Sequence, residues 1–212
     1  MGRAFVDFAF TPAVKAVQKR YGTRVSNQRL EAANERHDTL TETEIEFIAS
    51  RDGFYQATVS GSGWPYVQFR GGPPGFLRVI DNKTVGYADF RGNVQYLTIG
   101  NLEGEERIAL ILMDYANQRR LKIWGRARVV HATDDPERVN ALAVPNYRAR
   151  IERAVVITVE AFDWNCPQHI TRRFTEAEVQ VAIAPLLDEL ADLRQRVERL
   201  EPSSHREDLA QG

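Results

Sequence analysis

Hydrophobic and polar positions change rhythm twice along the chain. Up to about residue 52 the punctuation is helical. Thr11 precedes Pro12, a favoured first helical residue, and Gly22 follows the end of that segment. The run "TETE", Thr41 to Glu44, has the spacing of a capping box and predicts a second helix through Ile45, Phe47 and Ile48. From Phe54 to about Phe162 the pattern shortens to β-branched and aromatic runs: "FYQATVS", "PYVQF", "FLRVI", "TVGYA", "RIALILM", "RRLKIWGRARVV" and "RAVVITVEAF". Gly, Asp, Asn and Pro separate them, so about seven strands in a barrel or sandwich are predicted, with a short helix near Pro136 to Leu142. From Thr175 to Leu200 the helical period returns. Val179, Ile183, Leu186, Leu190, Leu193, Val197 and Leu200 alternate spacings of four and three, which is a coiled-coil seam. With Ile183 at a, Glu189 and Arg194 fall at g and the following e, as do Arg196 and Glu201, and both pairs are complementary in a parallel dimer. The expected organisation is a helical segment over 1–52, a β domain over 53–174, a helix over 175–201 and a disordered tail over 202–212.

Charge narrows the partners. Twenty-eight Lys+Arg against 29 Asp+Glu give a net charge of −1, so no global field draws the chain to nucleic acid or an anionic membrane. An anion must be held locally. Only Lys15, Lys19, Lys83 and Lys122 interrupt the arginine bias, so clusters of arginines carry more weight than single ones. Cys166 is the only cysteine, which excludes an internal disulfide. With no apolar run long enough to span a bilayer and no leader-like start, a cytoplasmic location is expected.

Two stretches interrupt the strands with chemistry. In "RGGPPGFLR" the glycines at 71, 72 and 75 allow a bent, closely approached backbone, and Arg70 and Arg78 supply forked donors suited to phosphate. In "YADFRGN" a second Arg-Gly corner follows a strand, with Asn93 and Gln95 as neutral donors. Either corner alone reads first as a tight turn with its arginine in solvent. Together they suggest one anionic ligand. In "DWNCPQHITRRF", Cys166 and His169 have the spacing of a metal pair, yet no second pair completes a zinc site, and no third group completes a nucleophilic Cys-His arrangement. No metal is expected.

The order of these segments, from about Thr41 to Arg173, resembles the FMN-binding split β-barrel of the pyridoxamine 5'-phosphate oxidase-like flavoproteins. The resemblance implies FMN as cofactor, a homodimer with flavin at the subunit interface, and cofactor contacts at Arg78, Ala88, Asp89, Asn93, Gln95 and Arg119 or Arg120. It also points to the loop carrying Trp164, Asn165, His169, Arg172 and Arg173, for which a packed structural loop is the other reading. Arg70 and Gly71 lie in a Gly-Pro insertion that the authentic oxidase lacks, so their part is inferred from chemistry alone. Where the oxidase has a Ser-Arg-Lys cluster this chain has Asn93-Val94-Gln95, and it lacks the oxidase's terminal substrate motif, so oxidation of pyridoxamine phosphate itself is not expected. The implied activity is an FMN-dependent oxidoreductase of an uncharacterised branch; the alternatives are a flavin-binding or flavin-storage protein without turnover, or a barrel serving only interactions. No GxGxxG follows a strand, so the reductant would be a diffusing nicotinamide nucleotide or a separate reductase.

Overall fold

The structure, a computed structural model, describes residues 1–164 and 167–200. Asn165, Cys166, Glu201 and the expected disordered tail over 202–212 lie outside the described residues. Two compact units divide the chain, Met1–Thr171 and Arg172–Gly212.

The first unit opens with four short helices: α1 (Arg3–Ala9), α2 (Pro12–Arg20), α3 (Arg24–Glu31) and α4 (Glu42–Ala49). Thr11 Oγ1 accepts from Val14 N at 3.3 Å, with Pro12 behind it, as the spacing predicts. α4 begins at the capping box. Thr41 N donates to Glu44 Oε2 at 2.9 Å, and the Thr41 hydroxyl donates to the same oxygen.

Seven antiparallel strands follow: β1 (Gly53–Val59), β2 (Pro65–Gly71), β3 (Arg78–Asp81), β4 (Thr84–Phe90), β5 (Arg107–Asp114), β6 (Arg119–His131) and β7 (Ile151–Trp164). A helix the strand-like sequence does not announce, α5 (Leu97–Gly104), sits between β4 and β5; α6 (Pro136–Ala141) sits between β6 and β7. The sheet order is β2-β1-β5-β6-β7-β4-β3, so β2 and β3, consecutive in sequence, are the two edges. Only residues 72–77 join them. Six residues reach at most about 25 Å, so the sheet must curl until its edges nearly meet without closing. That is a split barrel.

The barrel interior is a continuous apolar core that includes Phe54, Phe76, Tyr87, Leu110, Leu121, Ile123 and Ile157. The glycine-proline segment is shaped by packing. Gly72 N donates to Asp52 O at 2.9 Å and Gly75 N to Arg51 O at 3.1 Å, and Gly75 has φ +79, which only glycine adopts at little cost. Phe5 of α1 stacks on Trp124 with ring centroids 4.2 Å apart, fixing α1 to the outside of the sheet.

Glu44 ties α4 to the end of β7, because its second oxygen accepts from Trp164 Nε1 at 2.7 Å. Burial pushes this carboxyl up, but hydrogen bonds from Thr41 and Trp164 outweigh burial and hold it below its ordinary value of 4.5. A lowered carboxylate stabilises the fold above its unfolded pKa, and that contribution disappears as pH falls through the folded pKa. Glu44→Gln is therefore expected to cost about 2 kcal/mol at neutral pH and less at pH 3, since hydrogen bonds to charged groups are worth about 1.5–3 kcal/mol. Denaturant melts at both pH values check this.

The second unit contains α7 (Glu176–Leu200). Thr175 N donates to Glu178 Oε2 at 2.7 Å and Glu178 N to Thr175 Oγ1 at 3.2 Å, a second capping box. Leu186, Leu190, Leu193 and Val197 of the apolar seam are exposed. Pro185 lies inside the helix at an outward c position of the heptad, leaving the seam itself unbroken. Glu201, needed for the second charge pair, lies outside the described residues. Among the described residues no helix is long and apolar enough to cross a membrane.

Candidate functional site

Along β2 the alternation is inverted. Val67 and Phe69 are exposed, 61% and 57%, while Tyr66, Gln68 and Arg70 turn to the half-buried side. The reason is a cleft of about 190 Å³ across the split, lined by those three residues, the end of β4, the Gly92–Tyr96 turn and the start of α5.

Register builds its charged floor. Asp89 of β4 lies directly opposite Arg153 of β7, just before a bulge at Phe90. Asp89 Oδ2 accepts from Arg153 Nη1 at 3.1 Å, and Arg70 Nη1 from the opposite edge lies 2.8 Å from Asp89 Oδ1. That second approach is close enough for an ion pair but off the hydrogen-bonding direction, so Oδ1 and Arg70 Nε are buried without a directed hydrogen bond. Burial pushes the Asp89 carboxyl above its ordinary 3.8 despite both arginines. Glu152 takes Arg153 Nη2 at 3.0 Å and the Tyr96 hydroxyl at 3.4 Å, and Arg153 stacks over Tyr96 at 4.8 Å.

The rim carries backbone strain. Val94 and Tyr96 adopt left-handed φ values of 57° and 54°. Asn93 Oδ1 accepts from Gln95 N at 3.2 Å, and Asn93 Nδ2 donates to Gln95 Oε1 at 3.1 Å, which closes the turn. Tyr96 is the N-cap of α5 and gives it no side-chain acceptor, so the first amides of α5 are uncapped where Leu97, Thr98 and Ile99 line the cleft. Behind this wall, Tyr87, Gln56 and Thr98 are buried and hydrogen-bonded to one another.

Of the residues singled out in the sequence, Arg70, Asp89, Asn93 and Gln95 are brought together here. Gly71 pairs with Gly53 at the end of β2. Ala88 is packed among Val130, Val139, Leu142, Ala154 and Val156. Arg78 Nη2 donates to Ala143 O at 2.9 Å and lines a separate groove with Asp135 and Arg138. Arg119 stacks over Trp164 at 4.7 Å, Trp164 packs edge-on against Phe47, and Arg120 Nε is buried without a hydrogen-bond partner. His169 is exposed at a positive φ of 65°. Arg172 and Arg173 open the second unit, and Asn165 lies outside the described residues. Gln68, Tyr96, Thr98, Glu152 and Arg153 were missed. The inverted alternation of β2 is the signal that could have found Gln68. Among the described residues no group of three or more His, Cys, Asp or Glu side chains is placed to hold a metal.

No protein of curated function matches the chain significantly. Solved structures that resemble it include HupZ from Group A Streptococcus, 18% identical over 64% of this chain and 99% of that one, with a TM-score of 0.49. A Clostridium acetobutylicum protein related to general stress protein 26, of the pyridoxinephosphate oxidase family, is 16% identical over 65% and 94%, with a TM-score of 0.45. An FMN-binding protein from Syntrophomonas wolfei is 11% identical over 73% and 97%, with a TM-score of 0.46. Residues 40–166, more than half of the 212, match the profile of the family described as pyridoxamine 5'-phosphate oxidase, and the chain belongs to that family.

Proposed function

We propose that the chain is an oxidoreductase that binds FMN in this cleft. The observation that carries the proposal is the gathering of donors on one concave wall: Arg70, the Gln68 amide, Asn93 and the uncapped first turn of α5. A helix start with free amides attracts phosphate. Arg70, held by one carboxylate, retains guanidinium donors for a ligand acceptor. Asn93, Gln95 and the α5 amides would hold the phosphate, while Arg70 and Gln68 would face polar atoms of the ring and its side chain.

When bound, the flavin supplies the electron or hydride chemistry. This chain's own residues orient it. Asp89 and Glu152 hold Arg70 and Arg153 in place, and Tyr66 and Phe90 add aromatic walls. Gly71, Arg78, Ala88, Arg119, Arg120, Trp164 and His169 do not line this cleft and have no part in it here, and none is given to Asn165, Arg172 or Arg173. One chain's cleft falls below the roughly 300–1,000 Å³ of ordinary ligand sites, so a second copy of the chain would complete it. The exposed Tyr55, Val67, Phe69 and Ile111 supply an apolar surface for that copy. The setting proposed is cytoplasmic, with a nicotinamide nucleotide or a separate reductase as electron donor.

One observation favours flavin binding without turnover. Both carboxylates of the cleft are already paired with arginine, which leaves no unpaired carboxylate among its described residues to act as a general base. The visible spectrum of the purified protein, with mass identification of what it releases on denaturation, tests the proposal. A yellow protein that releases FMN and bleaches with NADH or NADPH is expected. A yellow protein that no donor reduces would favour the binder, and a colourless protein that takes up no added FMN would overturn both.

A further inference from the structure

Four side chains form a hydrogen-bonded chain that runs from the barrel interior to the cleft. Arg70, at the cleft wall, lies over the Tyr87 ring with its guanidinium carbon 5.9 Å from the ring centroid. Tyr87 Oη donates to Gln56 Oε1 at 2.7 Å, Gln56 Nε2 to Thr98 Oγ1 at 3.3 Å, and Thr98 Oγ1 to Gln68 Oε1 at 3.0 Å. Tyr87, Gln56 and Thr98 are 1%, 1% and 2% exposed, so no solvent competes for these bonds. Gln68, the last member, again lines the cleft.

The direction of the chain is set at its first link. The buried Tyr87 hydroxyl has one proton and, among the described residues, one acceptor in hydrogen-bonding reach, so that proton goes to Gln56 Oε1. The Gln56 amide then has only its NH₂ to offer Thr98, and the Thr98 hydroxyl, having accepted, donates to Gln68 Oε1. Reversing the Gln56 amide would leave the Tyr87 proton without an acceptor, and reversing the Gln68 amide would do the same to the Thr98 proton, at a cost of about 1–3 kcal/mol for each unmet group. Among the described residues Gln68 Nε2 has no partner of its own.

We propose that this one-way relay locks Gln68 as a hydrogen-bond donor into the cleft, so that the cleft selects a ligand whose facing edge carries a carbonyl or a ring nitrogen that accepts. Tyr87, Gln56 and Thr98 are positioning residues that act through Gln68. Hydrogen bonds in a chain polarise one another, which makes the terminal donor stronger than an isolated amide. A developing negative charge on the ligand is met by Gln68 and Arg70 together, which line the same wall.

The inference rests on the flavin reading above, and the test separates the two. FMN affinity, the visible bands of the bound flavin and its reduction potential are measured for wild type, Gln68→Glu, Thr98→Val and Thr98→Ser. Gln68→Glu replaces the donor by an acceptor and is expected to weaken FMN by about 30-fold and make bound flavin harder to reduce. Thr98→Val cuts the relay without changing shape, and a loss of about 10-fold with shifted bands is expected. Thr98→Ser keeps the hydroxyl and should restore both. Wild-type affinity and bands in Gln68→Glu, or equal behaviour of Thr98→Val and Thr98→Ser, would overturn the relay while leaving the flavin reading intact. A wild-type protein that binds no FMN would overturn both. Gln68 sits half-exposed in the cleft wall, so its variant decides the matter even where Thr98→Val fails to fold.

Discussion

Replacing Asp89 by alanine is expected to cost about 3–5 kcal/mol of folding stability, the range for removing one partner of a buried ion pair. The loss falls mainly on the arginines. Arg70 and Arg153 have side chains only 18% and 12% exposed, and Asp89 sits between them. Without it two guanidinium groups face each other across the floor of the cleft, and only Arg153 keeps a carboxylate, Glu152. Asp89→Asn should cost less, since an amide oxygen still accepts from one arginine. The pH dependence carries a second signature. A carboxyl whose folded pKa is raised binds its proton more readily in the folded state, so its contribution to stability falls as pH rises from 3.8 through the folded value. Denaturant midpoints against pH should show that decline in wild type and not in Asp89→Asn. A loss below 1 kcal/mol in Asp89→Ala would show that the arginines find water and that the floor is not closed.

Gly125→Ala carries the second large effect. β6 and β7 shift register at Trp124/Gly125, where Trp124 opposes Ala161 and Gly125 opposes Val159. A Cβ on Gly125 would lie 2.3 Å from Thr158 O and 2.9 Å from Ile157 Cγ2. The first neighbour is backbone of the longest strand in the sheet and cannot rotate away. Overpacking of this kind costs about 1–3 kcal/mol and occasionally more; 3 kcal/mol would lower the melting temperature by roughly 6–12 °C in a chain of this size. Gly61→Ala is the control, because nothing lies within 4 Å of a Cβ there. Equal melting of the two variants would mean that the bulge yields without cost.

What could be read in the sequence was what short-range chemistry decides. The Thr-x-x-Glu spacing at Thr41 gives α4 its capped start, Pro136 marks α6, and the strands show in their β-branched runs. α5 was hidden because "LTIGNLEG" has two glycines and little helical periodicity; burial of Thr98, Ile99 and Leu102 against the barrel decides it. Long-range contacts were hidden for another reason. Arg70 and Asp89 belong to separate glycine corners that each read as a turn, and their meeting depends on a sheet curling until its edges face. Trp164 and Arg119 read as ligand contacts because aromatic and basic residues suit a flavin. The same properties suit a stacked pair over Phe47, and the two side chains form one here, with Trp164 half-buried and Arg119 exposed.

The edge-to-edge curl also governs when the cleft comes into being. Phe54 of β1 pairs with Leu112 of β5, and Thr84 of β4 with Thr158 of β7, so the central ladders wait on long loop closures. The walls of the cleft stand on opposite sides of that assembly, β2 beside β1 and β4 beside β7. No hairpin contains both. The cleft is therefore expected to take shape only when the sheet curls on itself, so that a chain trapped before that step would present its two walls apart.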